Sequence, residues 1–331
     1  MTWVMPGYLR ALEWWNRLPK FPSMASLSHR QSSSFPLLLA LLSVVLLGSS
    51  SGEDPKVRYH TGTSEVRVAF FATDQNGRLL DNLSKDDFAV IDSGMVIRDF
   101  RSLARNTESA LEVVALIDTS GSVAPRFRAN LQHVVQLVDA ESANSADALS
   151  VVQFAGLEPQ IICNRDCRSA EAEQKLRSIK AQGPTPLFDA LTYTAQFVSE
   201  RHAPGTRQVV ILFSDGNDTI SRASAREALD AMLSSGALLY AVNVDASNGG
   251  SSAGSLLLQQ MAQATGGRSF SARDGVSDVL RAILDDLRAA YVVTYSLPTH
   301  QPGFHSLRIL PKHNLNLRFH CRRGYYYDEN R

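Results

Sequence analysis

No excess of charge of either sign marks this 331-residue chain: Lys+Arg and Asp+Glu are both 33. Nothing in that balance points to a nucleic acid or an anionic membrane surface as partner, so any binding comes from a local site. Internal repeats are not apparent. Cysteine is scarce, with three residues in all. Long apolar runs are scarce too, and the single candidate, Phe35 to Gly48 (FPLLLALLSVVLLG), is shorter than the roughly 20 residues that span a bilayer comfortably. What the chain does have is a hydrophobic content of 44%, enough for a buried core in one large domain or two.

That one apolar run follows a basic His29-Arg30 and precedes the small residues SSSG and then Glu53-Asp54-Pro55. The layout is that of a secretory signal cleaved between Gly48 and Gly52, with translation starting at Met1 or at Met24. Residues 1–52 are therefore expected to be a leader, and the mature protein to be exported, periplasmic or extracellular, with no stable membrane span. No cysteine lies near the cleavage region, which argues against a lipid anchor.

Residues 53–108 follow a period of two. VRVAFF (Val66 to Phe71) runs into Asp74-Gln75-Asn76-Gly77, and FAVI (Phe88 to Ile91) and MVIRDF (Met95 to Phe100) flank Asp92-Ser93-Gly94, so two tight turns and a small β-module are expected. Residues 109–290 alternate strands with helices. LEVVALID is almost continuously apolar, as suits a parallel strand covered on both faces, and RFRANLQHVVQLVDA places Phe127, Leu131, Val134, Val135 and Val138 at helical spacing. The alternation continues to VSDVLRAILDDLRAAY and predicts an α/β domain with a doubly wound, mostly parallel sheet. Residues 291–331 return to strands, YVVTYSL, FHSLRIL and LNLRFHC, expected as a short antiparallel meander. Neither terminal β-segment has much core of its own, so the two are expected to pair into one discontinuous β-domain.

The chemistry gathers at strand ends. In a doubly wound sheet, ligands bind at the carboxyl ends of the strands, near the point where strand order reverses. LEVVALID stops on Asp118-Thr119-Ser120-Gly121-Ser122; the later strand VILFSDGND stops on Asp215; and GPTPLFDAL places Thr185 in a loop before a helix. Asp118, Ser120, Ser122, Thr185 and Asp215 supply two carboxylates and three hydroxyls, a hard oxygen set that suits Mg²⁺ or Mn²⁺ and disfavours zinc. DTSGS by itself would equally serve as a helix cap, since Ser and Asp are common there. The three segments together favour the metal reading. Asp189 and Asp218, close by, suit caps or supporting hydrogen-bond acceptors as well as ligands.

At these residues the sequence resembles a von Willebrand factor type A domain, whose metal-ion-dependent adhesion site has the pattern D-x-S-x-S followed by a distant T and a distant D. The resemblance covers about Leu111 to Ala290. It implies that Ser120, Ser122 and Thr185 contact the ion directly, with one or both aspartates acting through water. It also implies a protein partner that supplies an Asp or Glu carboxylate to the remaining coordination position, hence an adhesion or protein-interaction module and not an enzyme. More narrowly, the leader, the opening VRVAFFATDQNGRLLDNLSKDDFAV and the C-terminal RRGYYY resemble the VWFA-related family described from acidobacteria.

Two other functions compete with this one: a structural part of an envelope assembly with a structural ion, and a Mg²⁺-dependent hydrolase. The hydrolase lacks parts. No second carboxylate stands two residues after Asp118, and neither G-x-x-x-x-G-K-[ST] nor G-x-G-x-x-G follows the first strand of the α/β region.

In an oxidising compartment Cys163 and Cys167, in IICNRDCRS, are expected to close a disulfide that shapes a loop beside the site, leaving Cys321 reduced and buried on a strand. His320 alternates with the apolar positions of that last strand and is expected to face solvent. The four histidines of the tail, His300, His305, His313 and His320, lack metal-ligand spacing. Tyr325 to Tyr327 are expected to form a terminal strand that packs.

Overall fold

The computed structural model describes residues 65–105, 110–127, 148–165, 167, 169–201, 206–245 and 252–327. The expected leader and most of the first helix of the α/β region, from residue 128 on, lie outside the described residues.

A six-stranded sheet forms the centre of the α/β region. Its strands are β5 (Leu111–Asp118), β6 (Ala148–Phe154), β7 (Gln160–Cys163), β8 (Arg207–Ser214), β9 (Leu238–Asn243) and β10 (Ser269–Ser271), in the order β10-β9-β8-β5-β6-β7. All neighbours are parallel except β6 and β7, which are antiparallel. The central strands are apolar because both faces are covered. Val113, Ala115 and Ile117 of β5 point into a layer with α1 (Ala170–Ser178) and α5 (Val276–Arg288). Val114 and Leu116 point into a layer with α2 (Leu187–Ser199), α3 (Ala225–Ser235) and α4 (Ala253–Thr265). Three of the helix starts are chemically specified: Ser169, Ser224 and Ser252 each accept a main-chain N–H at an N-cap, and Ser224 with Glu227 forms a full capping box. Gly236 and Gly266, both with φ positive, end α3 and α4.

Chain order along the sheet fixes where a ligand can bind. From β5 the chain goes to β6 and β7 on one side, then crosses back to β8 on the other. The reversal therefore falls between β5 and β8, at whose carboxyl ends Asp118 and Asp215 stand.

Strands from the two ends of the chain build a β-sandwich. One sheet has the order β13-β1-β11-β4, made of β1 (Glu65–Thr73), β4 (Ser102–Arg105), β11 (Tyr291–Ser296) and β13 (Arg318–Cys321). The other has the order β14-β12-β2-β3, made of β2 (Phe88–Asp92), β3 (Met95–Ile97), β12 (Gly303–Pro311) and β14 (Gly324–Tyr327). Val68, Phe70, Val293 and Tyr295 of the first sheet share a core with Phe88, Val90, Leu307 and Ile309 of the second. Ser93 and Gly94, at φ 50° and 82°, make the tight β2–β3 turn. The turn at Asn76-Gly77 also forms, and past it the chain pairs back briefly through the bridge Thr73 to Leu79 and the bond from Leu80 N–H to Ala72 O.

The expected C-terminal meander is not what forms. β11 pairs with β1 and β4, β13 with β1, and β12 with β2 and β14, so consecutive tail strands alternate between the two sheets. Splitting them lets each sheet bury one apolar face against the other, which a three-stranded meander cannot do.

His320 departs from expectation as well. It does point away from the sandwich core, yet that outer face lies against the α/β region. Its ring stacks on Phe71 at 4.5 Å, with Thr73 Oγ1 3.3 Å from Nε2. Burial, aided by the charges of Arg268 and Arg318, pushes its pKa down to about 4. Since the unfolded chain binds this proton near the ordinary value, stability is retained above about pH 6.5 and lost as the pH falls toward 4. The difference in melting temperature between wild type and His320→Phe should therefore be constant near neutrality and change between pH 6.5 and 4, wild type losing more. Parallel curves over that range would show that His320 is charged in the fold.

Candidate functional site

Three loops meet at the carboxyl edge of the sheet. The first, Asp118 to Ser122, leaves β5 and enters a short 3₁₀ turn, Gly121–Arg126. Asp118, Thr119 and Ser120 are buried. Asp118 Oδ1 accepts the main-chain N–H of Ser120 (2.9 Å), and Oδ2 accepts the hydroxyl of Ser214 at the end of β8 (2.7 Å). Ser120 Oγ lies 3.1 Å from Ser122 Oγ, so two hydroxyls already sit side by side.

Main-chain bonds lace the other loops to this one. Gln182 N–H donates to Thr119 O (2.8 Å) and Gly121 N–H to Gly183 O (2.9 Å), which bring the loop carrying Thr185 against DTSGS. Thr185 is buried; its N–H donates to Thr219 Oγ1 (2.8 Å), and Thr219 N–H returns to Thr185 O (2.9 Å). The third loop begins at buried Asp215, whose Oδ1 accepts Asn217 N–H at 2.9 Å. Gly216, at φ 80°, is pressed so closely by α4 that a Cβ there would stand 2.3 Å from Gly254 O. The structure thus brings all five sequence-predicted site residues onto one laced set of loops.

Burial pushes the Asp118 carboxyl up to about 6 against the pull of its Ser120 and Ser214 hydrogen bonds, and the negative charge of Asp215 adds to the rise. Two enclosed carboxylates that repel each other, beside two or three hydroxyls, are a set that a hard cation would relieve. The residues present therefore fit Mg²⁺ or Mn²⁺. Among the described residues no group of three His, Cys, Asp or Glu side chains is arranged to hold a metal.

Asp189 and Asp218 act as braces. Asp189 accepts the N–H groups of Arg222 and Ala223, and Asp218 accepts the hydroxyl and N–H of Ser221, whose Oγ in turn meets the first N–H groups of α2. Ser214 and Thr219 stand outside the five residues to which the sequence points. Ser214 directly precedes Asp215, so the signal for it was its place at the strand end.

The disulfide Cys163–Cys167 is present, but not beside the site. Because β7 runs antiparallel to β6, it carries the chain away from the carboxyl edge: Cys163 lies opposite Val151, in the middle of β6, and Cys167 Sγ lies 3.2 Å from Leu149 O, near its amino end. The closed loop there holds Arg165, at φ 61°, with its guanidinium on both carboxylate oxygens of buried Glu112 (2.9 and 3.3 Å). Cys321 is a free thiol on β13, raised to about 11 chiefly by burial. Closing so short a loop stabilises by about 2 kcal/mol on the chain-entropy model. Reduction should therefore lower the melting temperature modestly while leaving divalent-ion binding unchanged. Loss of ion binding on reduction would place the loop's influence at the site after all.

No helix among the described residues is long and apolar enough to cross a membrane. No curated protein matches the sequence significantly. Solved structures with related shape include an aerotolerance-related membrane protein from Bacteroides fragilis (20% identity, 54% of this chain and 98% of that one, TM-score 0.41). A conserved hypothetical protein, BatB, from Bacteroides thetaiotaomicron is similar to the same extent (19% identity, 53% and 98%, TM-score 0.41). Proximal thread matrix protein 1 from the mussel byssus is a third (18% identity, 55% and 49%, TM-score 0.44). The model of the von Willebrand factor type A domain matches residues 112–285, more than half of the chain and every residue of the laced loops. With that match over a doubly wound sheet whose switch point carries D-x-S-x-S, the chain belongs to the von Willebrand factor type A domain family.

Proposed function

We propose that this protein is an exported interaction module that binds an acidic group of a protein partner through a divalent ion. Domains of this family commonly mediate protein–protein interaction and are typically non-enzymatic. The observation that carries the finer reading is the convergence of Asp118, Ser120, Ser122, Thr185 and Asp215 on three loops tied together by main-chain bonds at the switch point. Ser120, Ser122 and Thr185 would hold Mg²⁺ or Mn²⁺ directly, and Asp118 and Asp215 would hold it through water. The ion would supply a positive centre, under-neutralised by hydroxyls and water, to which a partner's Asp or Glu carboxylate binds. Export is supported by the leader-like opening of the sequence and by the Cys163–Cys167 bond, which suits an oxidising compartment.

The test is binding of the full chain to a surface coated with an aspartate-bearing peptide, in Mg²⁺ and in chelator. Retention in Mg²⁺ and release by chelator support the reading. Equal retention in both, with a lower melting temperature in chelator, would instead assign the ion a structural role in an envelope assembly. Turnover of a panel of phosphoesters in Mg²⁺ would overturn the non-enzymatic reading.

A further inference from the structure

On the face of the sheet that α4 covers, the side chains change from apolar to polar toward the carboxyl edge. Leu239 and Ala241 of β9 share an apolar layer with Leu258, Met261 and Ala262 of α4. Two residues after Ala241, on the same face of β9, stands Asn243. Register sets Ser269 of β10 beside Ala241 and Ser271 beside Asn243, so both serines share that face. Ser255 and Gln259 lie two turns and one turn before Ala262 on a single stripe of α4. Asn243, Ser255, Gln259, Ser269 and Ser271 line one cleft of about 380 Å³, within the range of small-molecule sites.

Solvation alone accounts for Gln259, which is exposed, but not for Asn243, which is only 5% exposed. Asn243 Oδ1 accepts the N–H of Asp245 at 2.8 Å, which fixes the amide. Its Nδ2 donates to no described residue and is not sealed inside the core, so it opens into the cleft. The hydroxyls of Ser255 and Ser269 and the amide of Gln259 likewise bond to no described residue. Ser271 Oγ accepts the N–H of Arg273 at 3.2 Å and keeps its own proton to give. The cleft therefore presents hydrogen-bond donors and acceptors that the protein leaves unused.

Charge does not select the ligand. Asp245, Asp274 and Arg273 on the rim give two acids to one base, so an anion gains nothing. No group of three His, Cys, Asp or Glu side chains among the described residues is placed to hold a metal. Peptides dock through a main-chain ladder on a free strand edge or through apolar side-chain pockets. Here the groups stand on the face of the sheet, and they are amides and hydroxyls. They match a neutral molecule dense in groups that both donate and accept, as the adjacent hydroxyls of a sugar ring do. We infer that the cleft between β10 and α4 is a binding site for a neutral sugar, held by Asn243, Ser255, Gln259, Ser269 and Ser271. None of the five ion-site residues lines it, so sugar and ion bind independently.

Titration calorimetry of the full chain with glucose, galactose, mannose and N-acetylglucosamine, and with maltotetraose and chitotetraose, tests this. At least one should bind saturably, with a Kd on the order of 1 mM or tighter, equally in Mg²⁺ and in chelator. Tighter binding of a tetramer than of its monomer makes the ligand a glycan chain; equal binding makes it a free sugar. Gln259→Ala, at an exposed helical position that suits alanine, should weaken binding about fivefold without changing the melting temperature. Asn243→Ala should abolish it. Glucuronate and galacturonate should bind more weakly than the best neutral sugar. No saturable binding of any neutral sugar, tighter binding of the uronates, or binding that survives both substitutions overturns the assignment. Binding that chelator abolishes places the sugar at the ion and overturns it as well. None of these outcomes bears on capture of a carboxylate by the ion.

Discussion

Thr185→Ala is expected to reduce Mg²⁺-dependent binding of an aspartate-bearing surface by at least a hundredfold, on the order of 3 kcal/mol, while the melting temperature in chelator stays close to wild type. The asymmetry follows from what each part of Thr185 does. Its main chain, which the substitution keeps, ties two loops together through Thr219. Its hydroxyl, which the substitution removes, is proposed to reach the ion. The core nearby is apolar and owes nothing to that hydroxyl: Leu116, Val210, Leu212 and Leu187 are fully buried around it. Asp118→Ala should abolish binding as completely but with more local disturbance, because Asp118 also anchors Ser120 N–H and the Ser214 hydroxyl. Retained binding in Thr185→Ala, or a collapse of its melting temperature, would show that this loop is a structural tie and not a ligand.

The largest loss of stability is expected at Arg268. Its guanidinium forms two 2.7 Å hydrogen bonds to Asp286, a carboxylate with no solvent exposure on α5, and lies 5.0 Å over Phe270 and 5.6 Å over Phe71 of the β-sandwich. Burial pushes Asp286 up to about 7 even against Arg268, so near neutrality the carboxyl stands between its charged and neutral forms and Arg268 is the partner that favours the charged one. Arg268→Ala strands the carboxylate and removes a contact between the two parts of the molecule. A loss of about 3–5 kcal/mol is expected, which for a domain of this size lowers the melting temperature by on the order of 10 °C. The double replacement Arg268→Met with Asp286→Leu should recover a large part of that loss, since a well-packed apolar pair needs no counter-charge. If the double variant is as unstable as Arg268→Ala, the cost comes from lost packing against Phe71 and Phe270 and not from the stranded charge.

Different physics decided which features the sequence could disclose. DTSGS, Thr185 and the aspartate of SDG are legible because each sits at a strand end or before a helix, and the hydrophobic period marks those boundaries without any tertiary information. The pairing inside the site is not legible in the same way. Ser214 and Thr219 are ordinary serine and threonine until β8 is placed beside β5 and the loop after it beside Thr185. His320 occupies the face that alternation assigns to it; what alternation cannot supply is the second layer, Phe71 and Arg268, that covers this face. The disulfide position depended on one unpredicted reversal. Had β7 been parallel to β6, Cys163 would have ended near the site, but the antiparallel β7 takes it away from the carboxyl edge.

A titration of the metal-free full chain with Mn²⁺, followed by electron paramagnetic resonance of the free ion, tests the central claim most directly. One saturable equivalent should bind to wild type, Mg²⁺ should displace it, and Asp118→Ala and Thr185→Ala should each remove it. No saturable site in wild type, or a site that survives both Asp118→Ala and Thr185→Ala, would contradict the account.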